Sequence, residues 1–369
     1  MMKKKKIKTR IEVAFIIPSL RSGGAERVLS FVASHLDRKR FNTTLVVIGS
    51  EKDRAYDTTN ELKVIFLNKE KVRYAFYDIF EYLYTRKPDV VMSAIAHLNS
   101  MMAIIAPFFP KTKFIGRETI VQGSSVSGKK RFINFFRLQK YTLAKIVCQS
   151  DDMYEDLKNN YGFPPSKLVK INNPITQQFV PKKHSLQGNA LKLITVGRLS
   201  KSKGHDRILR CLSKLDIPFT YTIIGKGPLE SRIFSDIKKY GLETKVNHIS
   251  FTKEVKKYLE ESDIFLLGSY VEGLPNAIIE SCAVGTPVSA FDAPGGINEI
   301  IETDVNGYIA KSEDEYIGNI KKIASRTWDP MAINNSVTKK FAPEIILQKY
   351  EELFSGLVEE QKLNLINGN

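Results

Sequence analysis

Residues 191–214 read LKLITVGRLSKSKGHDRILRCLSK. Leu191–Val196 is an apolar, β-branched run of strand length. Gly197 and Gly204 punctuate a polar turn, and His205–Lys214 then repeats apolar residues at helical spacing. A strand, a glycine turn and a helix make up half of a βαβ unit. The same order recurs on both sides of this stretch. Upstream, strand-like runs are Ile11–Ile17, Thr44–Ile48, Val64–Leu67, Val90–Ser93, Lys113–Gly116, Ile146–Cys148 and Leu168–Ile171. Downstream they are Phe219–Ile224, Val246–Ile249, Ile264–Leu267 and Pro287–Ala290. Helical patterns intervene, among them Ala25–Leu36, Val72–Tyr84 and Leu229–Tyr240. Alternation of this kind predicts parallel sheets covered on both faces.

The 369 residues fit two domains at roughly 100–200 residues each. Asn172–Asn189, with Pro174, Pro181 and Gly188, has the composition of a linker. The expected division is 1–180 and 181–340, each a doubly wound α/β domain. Residues 341–369 are expected to form a helix that packs back towards the first domain. Ligands of such sheets bind beyond the carboxyl ends of the strands, so two facing domains would enclose a cleft.

Composition narrows the function classes. The net charge is +16, with Lys3, Lys4, Lys5, Lys6, Lys8 and Arg10 at one end and six cations without an acid in 129–145. Such charge favours an anionic partner: nucleic acid, anionic lipid or a phosphorylated substrate. Cys148, Cys211 and Cys282 are odd in number and lack metal-ligand spacing, which fits a reducing cytoplasm. Glu12 and Pro18 interrupt the apolar run after the N-terminal lysines, so it reads as a strand rather than a signal peptide. Val90–Phe109 is uncharged and long enough to span a bilayer, but His97, Asn99, Ser100 and Pro107 make a strand, a loop and a buried helix the better reading.

Four turns carry candidate chemistry. Gly23 and Gly24 follow the first strand and open a helix; paired glycines admit close backbone approach, and a helix N-terminus favours phosphate. Gly197 and Gly204 bracket Arg198 and Lys203, a planar fork and a point charge placed to straddle a diphosphate. Gly225-Lys226-Gly227-Pro228 follows another strand. The fourth turn, Glu272-Gly273-Leu274-Pro275-Asn276-Ala277-Ile278-Ile279-Glu280, is the most informative. Pro275 suits the first turn of a helix. Glu272 then stands before the helix start, and Asn276 and Glu280 share one face. Two carboxylates thus flank an anion-binding turn, one for sugar hydroxyls and one for a ribose. Buried carboxylates need cations, which Arg198 and Lys203 can supply. Neither a GxGxxG fingerprint nor a Walker motif is present.

The Glu272–Glu280 pair, with Gly197-Arg198, Lys203-Gly204 and Gly23-Gly24 at these separations, resembles glycosyltransferase family 4, of the two-Rossmann GT-B type. The resemblance spans about residues 11–350 and is most specific in 195–310. It implies retaining transfer from a nucleotide sugar without a bound metal or other cofactor. Arg198 and Lys203 would hold the donor diphosphate, Glu280 the ribose and Glu272 the donor sugar. Gly24 would cap the phosphates, and Phe251 and Thr252 fall where the family holds the base. Where many relatives carry a histidine after the strand ending at Gly116, this chain has Arg117-Glu118. Glu118, with His97 second, is therefore the expected acceptor-side polar residue.

The expected donor is a UDP-sugar and the expected acceptor a saccharide, lipid-linked. Lys129–Tyr141 alternates cations and aromatics at helical spacing, as a basic helix on an anionic membrane would; Val126–Gly128 before it would be an acceptor loop. Localisation is then cytoplasmic, on the inner face of the membrane. The rival readings are a GT-B sugar-nucleotide epimerase or phosphorylase, an idle sugar-nucleotide binder, and a basic nucleic-acid-binding protein, for which no recognised motif is present.

Overall fold

The computed structural model describes residues 10–21, 23–55, 58–123, 138–183 and 190–366. The N-terminal lysines, Ser22, Val126–Gly128, Gly188 and the part of the proposed membrane helix at 129–137 lie outside the described residues. Two compact units emerge: Met1–Thr176 with Pro343–Asn369, and Gln177–Ala342.

The first unit holds a seven-stranded sheet in the order β3-β2-β1-β4-β5-β6-β7, every pairing parallel. Its strands are β1 Ile11–Ile17, β2 Phe41–Val47, β3 Lys63–Phe66, β4 Val90–Ala94, β5 Lys113–Arg117, β6 Lys145–Cys148 and β7 Leu168–Lys170. Helices α1 Gly24–His35, α2 Phe76–Arg86, α3 Ala96–Ile105 and α4 Asp151–Asn159 connect them. The central strand β4 is buried along its whole length, which is why Val90–Ala94 is an unbroken apolar run rather than an alternating one. The candidate span Val90–Phe109 is therefore β4, α3 and a short 3-10 turn, Ala106–Phe108. Among the described residues no helix is long and apolar enough to cross a membrane.

The second unit holds a six-stranded parallel sheet, β10-β9-β8-β11-β12-β13. Its strands are β8 Leu191–Val196, β9 Phe219–Ile224, β10 Val246–Ile249, β11 Ile264–Leu267, β12 Val288–Phe291 and β13 Gly307–Ala310. The helices are α5 His205–Ser213, α6 Glu230–Lys239, α7 Val255–Glu260, α8 Asn276–Ala283, α9 Ile297–Ile300, α10 Glu313–Ala324 and α11 Pro330–Phe341. In α5 the residues Ile208, Leu209, Cys211 and Leu212 form the buried stripe that the helical spacing predicts. β13 is absent from the sequence-based set; it is four residues long and begins at Gly307, whose φ of +159° only glycine adopts readily.

The last helix, α12 Pro343–Ile366, belongs to the first unit. Ile346, Tyr350, Phe354, Leu357 and Val358 enter the same core as Phe15, Phe41 and Val32. The Phe354 ring meets Phe15 and Phe41 edge-on at 6.0 and 6.3 Å, the geometry aromatic pairs prefer. Both units are doubly wound α/β sheets, as the alternating pattern requires.

Candidate functional site

The carboxyl edge of the second sheet is built by glycines. Gly197 donates to Ile224 O at 2.9 Å, and Leu199 to Lys226 O at 3.1 Å. These bonds lay the Gly225–Pro228 turn on the Gly197–Leu199 turn. A Cβ on Gly225 would strike the Gly197 carbonyl, and one on Gly227 the Leu199 carbonyl. The chain then makes a 3-10 turn, Lys201–Lys203, and reverses at Gly204 (φ 59°, ψ 34°). Gly204 packs against the Gly268 carbonyl with no room for a side chain. This contact brings Lys203 to the segment after β11.

There Lys203 Nζ meets Glu272 Oε1 at 2.6 Å. The same oxygen accepts the Ser269 hydroxyl at 2.5 Å. Glu272 is 7% exposed and Lys203 reaches it from a side chain 31% exposed, so the cation covers the carboxylate from the solvent side. Glu272 is fixed from behind as well. Its N–H donates to Pro294 O, and Gly296 donates to Gly273 O, both at 2.8 Å. Gly295, at φ +127°, lies too close to the Glu272 backbone for any Cβ. Arg207 donates to the Gly268 and Ser269 carbonyls. Its guanidinium lies over the rings of Tyr270 and Phe291 at 4.3 and 4.1 Å. Burial lowers its pKa despite Tyr270, Tyr316 and Asp206 nearby.

Helix α8 opens two residues after Leu274. Its N-cap is Pro275, one residue before the helix rather than within the first turn that the sequence suggested, and no side chain caps it. The cause is visible in the backbone: the Pro275 carbonyl already accepts Ile278 and Ile279 N–H while its ψ of 97° is still extended. Asn276 is the first helical residue, and Glu280, one turn on, is buried. At the ligand edge, α1, α5 and α8 begin at Gly23, Gly204 and Pro275 without a side-chain cap.

Arg198 occupies the β8 turn with its side chain exposed, and its guanidinium makes no hydrogen bond among the described residues. Of the two cations expected near the carboxylates, Lys203 is seen paired, with Glu272. The Arg198 carbonyl is tied to His205 Nε2 at 3.3 Å. His205 is buried, with Nδ1 unpartnered, and burial lowers its pKa to about 4. Phe251 is exposed just beyond β10; Thr252 uses its hydroxyl on the Glu254 N–H at 3.0 Å. Among the described residues no group of three His, Cys, Asp or Glu side chains is arranged to hold a metal ion.

In the first unit, Gly23 and Gly24 stand at the start of α1, as the strand–turn–helix pattern requires. The Glu26 carboxylate folds back over Gly23. Burial raises its pKa against its own backbone N–H and Arg117. Glu118 follows β5 and is fully buried. Asn99 Nδ2 donates to Oε1 at 2.8 Å and Gln122 Nε2 to Oε2 at 3.4 Å; Gln149 Nε2 holds its carbonyl at 2.6 Å. Burial outweighs these donors and raises its pKa to about 7. His97 is exposed at the start of α3, its pKa lowered by partial desolvation. Ile95 before it has φ +79°, a strained setting for a β-branched residue and one that clusters at working sites.

Sequence reasoning missed Ser269, Arg207, His205 and Gly295. Only Pro294-Gly295-Gly296 left a signal, as a turn after a strand. Arg207 acts through carbonyls 61 and 62 residues on that only folding brings near, and Ser269 through a carboxylate three residues on.

Residues 176–336 match the family Glycosyl transferases group 1. An N-acetylgalactosamine-N,N'-diacetylbacillosaminyl-diphospho-undecaprenol 4-alpha-N-acetylgalactosaminyltransferase of Campylobacter jejuni is 27% identical, over 82% of this chain and 87% of its own. The amylovoran biosynthesis glycosyltransferase AmsD of Erwinia amylovora is 24% identical, over 90% of this chain and 96% of its own. Among solved structures, Anabaena HepE in complex with UDP and glucose superposes with a TM-score of 0.77 at 16% identity, covering 94% of this chain and 100% of that one. The fold is that of the GT-B glycosyltransferases.

Proposed function

We propose that this chain, a glycosyltransferase of the GT-B fold whose residues 176–336 belong to the Glycosyl transferases group 1 family, moves a hexosyl or N-acetylhexosaminyl group from a UDP-sugar to a lipid-linked saccharide, with retention at the transferred carbon. The observation that carries this reading is the Lys203–Glu272 pair, held at 2.6 Å between the Gly197–Gly204 turn and the start of α8. In transfer, the acceptor hydroxyl oxygen bonds to the anomeric carbon as the bond from that carbon to the β-phosphate oxygen breaks; the diphosphate leaves with the electron pair and takes up the hydroxyl proton. Arg198, Lys203 and the α8 N-terminus supply positive potential for that departing charge. Glu272, already fixed by Ser269 and Lys203, orients the donor sugar. Glu280 holds the ribose, and the exposed Phe251 ring offers a surface for the base. With these cations on the diphosphate, the reading needs no metal.

Two similarities support the substrates. The Campylobacter relative is named for an undecaprenol-diphosphate-linked acceptor, and the Anabaena neighbour was solved with UDP and glucose. The reaction then belongs to the assembly of polysaccharide or lipid-linked glycan at the cytoplasmic face of the membrane. On the acceptor side, Glu118 is fully enclosed by Asn99, Gln122 and Gln149, so it shapes the carboxyl edge of β5 through them. His97 is the exposed group of the pair, which supports it as the one that meets an acceptor hydroxyl.

A thermal-shift screen of UDP, GDP and their sugars tests the donor. Binding to the folded state alone adds about 2.7 kcal/mol at a hundredfold excess over Kd. The expected result is a shift with UDP and UDP-sugars but not with GDP; no shift with any nucleotide at millimolar concentration refutes the reading. The anomeric configuration of the product, read by NMR, tests retention.

A further inference from the structure

Two imidazoles lie behind the glycine turns of the second unit. His205 is the first residue of α5 and is 2% exposed. The left-handed reversal at Gly204 brings it to the β8 turn, where its Nε2 stands 3.3 Å from the Arg198 carbonyl. His248 belongs to β10, and its Nε2 stands 2.7 Å from the Gly225 carbonyl. A carbonyl only accepts, so each ring carries its proton on Nε2. One imidazole thus holds each of the two turns that the Gly197–Ile224 and Leu199–Lys226 bonds lay on each other.

Packing alone does not account for an imidazole at position 205. Its Nδ1 is buried without a partner, which costs stability that a phenylalanine ring would not. Burial lowers its pKa to about 4 against the pull of the Arg198 carbonyl, with Lys203 reinforcing the burial. The ring therefore holds the carbonyl without adding a charge beside Arg198 and Lys203. Arg198 needs such a hold. Its guanidinium is exposed and makes no hydrogen bond among the described residues, so its direction follows its backbone. The Arg198 carbonyl accepts the Ser200 N–H at 2.9 Å and the His205 ring. The first bond closes within the turn; the second ties the turn to α5. Gly225 has the same need, because at φ +148° it has no side chain to limit rotation of its peptide. The His248 ring that holds it meets the Phe234 ring edge-on at 5.2 Å.

We propose that His205 and His248 are positioning residues for the donor diphosphate: each gives an Nε2 hydrogen bond to a turn carbonyl and so fixes the direction in which Arg198 and the Gly225–Pro228 backbone meet the phosphates. Neither ring touches the donor; both act through the backbone, and their role rests on the donor reading above. Calorimetry with UDP on the full chain tests it, using side chains of different reach. A glutamine carboxamide places an N–H where Nε2 stands, and an asparagine one stops at the level of Nδ1. His205→Asn and His205→Phe should weaken UDP binding about threefold to tenfold, the span of one hydrogen bond, with the binding stoichiometry unchanged. His205→Gln should bring the affinity back to within about twofold of wild type. The His205→Phe loss should shrink in an Arg198→Ala chain, because the two act through one group. His248→Phe, on the edge strand of the sheet, should weaken UDP likewise and gives the same reading where a His205 variant melts. A role in folding alone predicts the opposite pattern, fewer competent sites at an unchanged Kd. That pattern, a wild-type Kd in the phenylalanine variants, or glutamine no better than asparagine overturns the proposal while the wild-type chain still binds UDP. A wild-type chain that binds no UDP overturns the donor reading as well.

Discussion

Replacing Lys203 by methionine separates a structural ion pair from a substrate-binding one. The change keeps most of the stem volume and removes the charge. In the free protein, Glu272 Oε1 then keeps only the Ser269 hydroxyl. Breaking a fully buried pair costs about 3–5 kcal/mol. Lys203 is about a third exposed and Ser269 remains, so about 1–3 kcal/mol is the fitting range. At about 2–4 °C per kcal/mol for a unit of this size, the melting temperature should fall by a few degrees. The loss should shrink when Glu272 is glutamine, because the two effects share one contact. The donor supplies the second measurement. A charged hydrogen bond to a diphosphate is worth about 1.5–3 kcal/mol, or about tenfold to a hundredfold in Kd. Calorimetry with UDP and thermal melts on one preparation of Lys203→Met decide the matter. A lowered melting temperature with the UDP affinity unchanged would refute the diphosphate role and leave Lys203 as a partner of Glu272 alone.

Other outcomes follow from neighbouring residues. Glu280→Ala should weaken UDP binding by about 1–3 kcal/mol in calorimetry through lost charged hydrogen bonds; an unchanged Kd would remove its ribose role. Glu118 has its pKa raised to about 7, so between about pH 4.5 and 7 the unfolded chain loses this proton while the folded one keeps it. Its contribution to stability therefore falls as pH rises through that window and stays lost above it, and Glu118→Gln should flatten this slope in melts run from pH 5 to 8. His205, with its pKa lowered to about 4 by burial, acts oppositely: stability falls as pH drops from about 6.5 to 4, and His205→Gln should abolish that limb. Gly204→Ala forces a side chain into a left-handed residue and the Gly268 carbonyl. It should cost more than about 2 kcal/mol in a denaturant titration and weaken UDP binding by displacing Lys203.

Much of the fold was legible in the sequence, because its signals are local. Apolar runs ending in glycine turns fix where strands stop and helices start, and β1, β8, β9, β10 and β11 have the bounds their residues announce. Paired glycines and the Glu272–Glu280 spacing mark turns whose backbone tolerates little else. Tertiary structure decided what depends on distant partners. The order β3-β2-β1-β4 cannot be read from alternation, which specifies neighbours in sequence but not in the sheet. The Lys203–Glu272 contact joins residues 69 apart, through a close approach of Gly204 and Gly268 that neither segment encodes alone. Glu118 is an ordinary carboxylate in the sequence; its pKa near 7 comes from Asn99, Gln122 and the burial that outweighs them. Which aromatics of α2 face outward was likewise decided by folding: helix rotation turns Tyr77 and Tyr84 out, because a helix has one inner stripe and Ala75, Ile79 and Leu83 fill it.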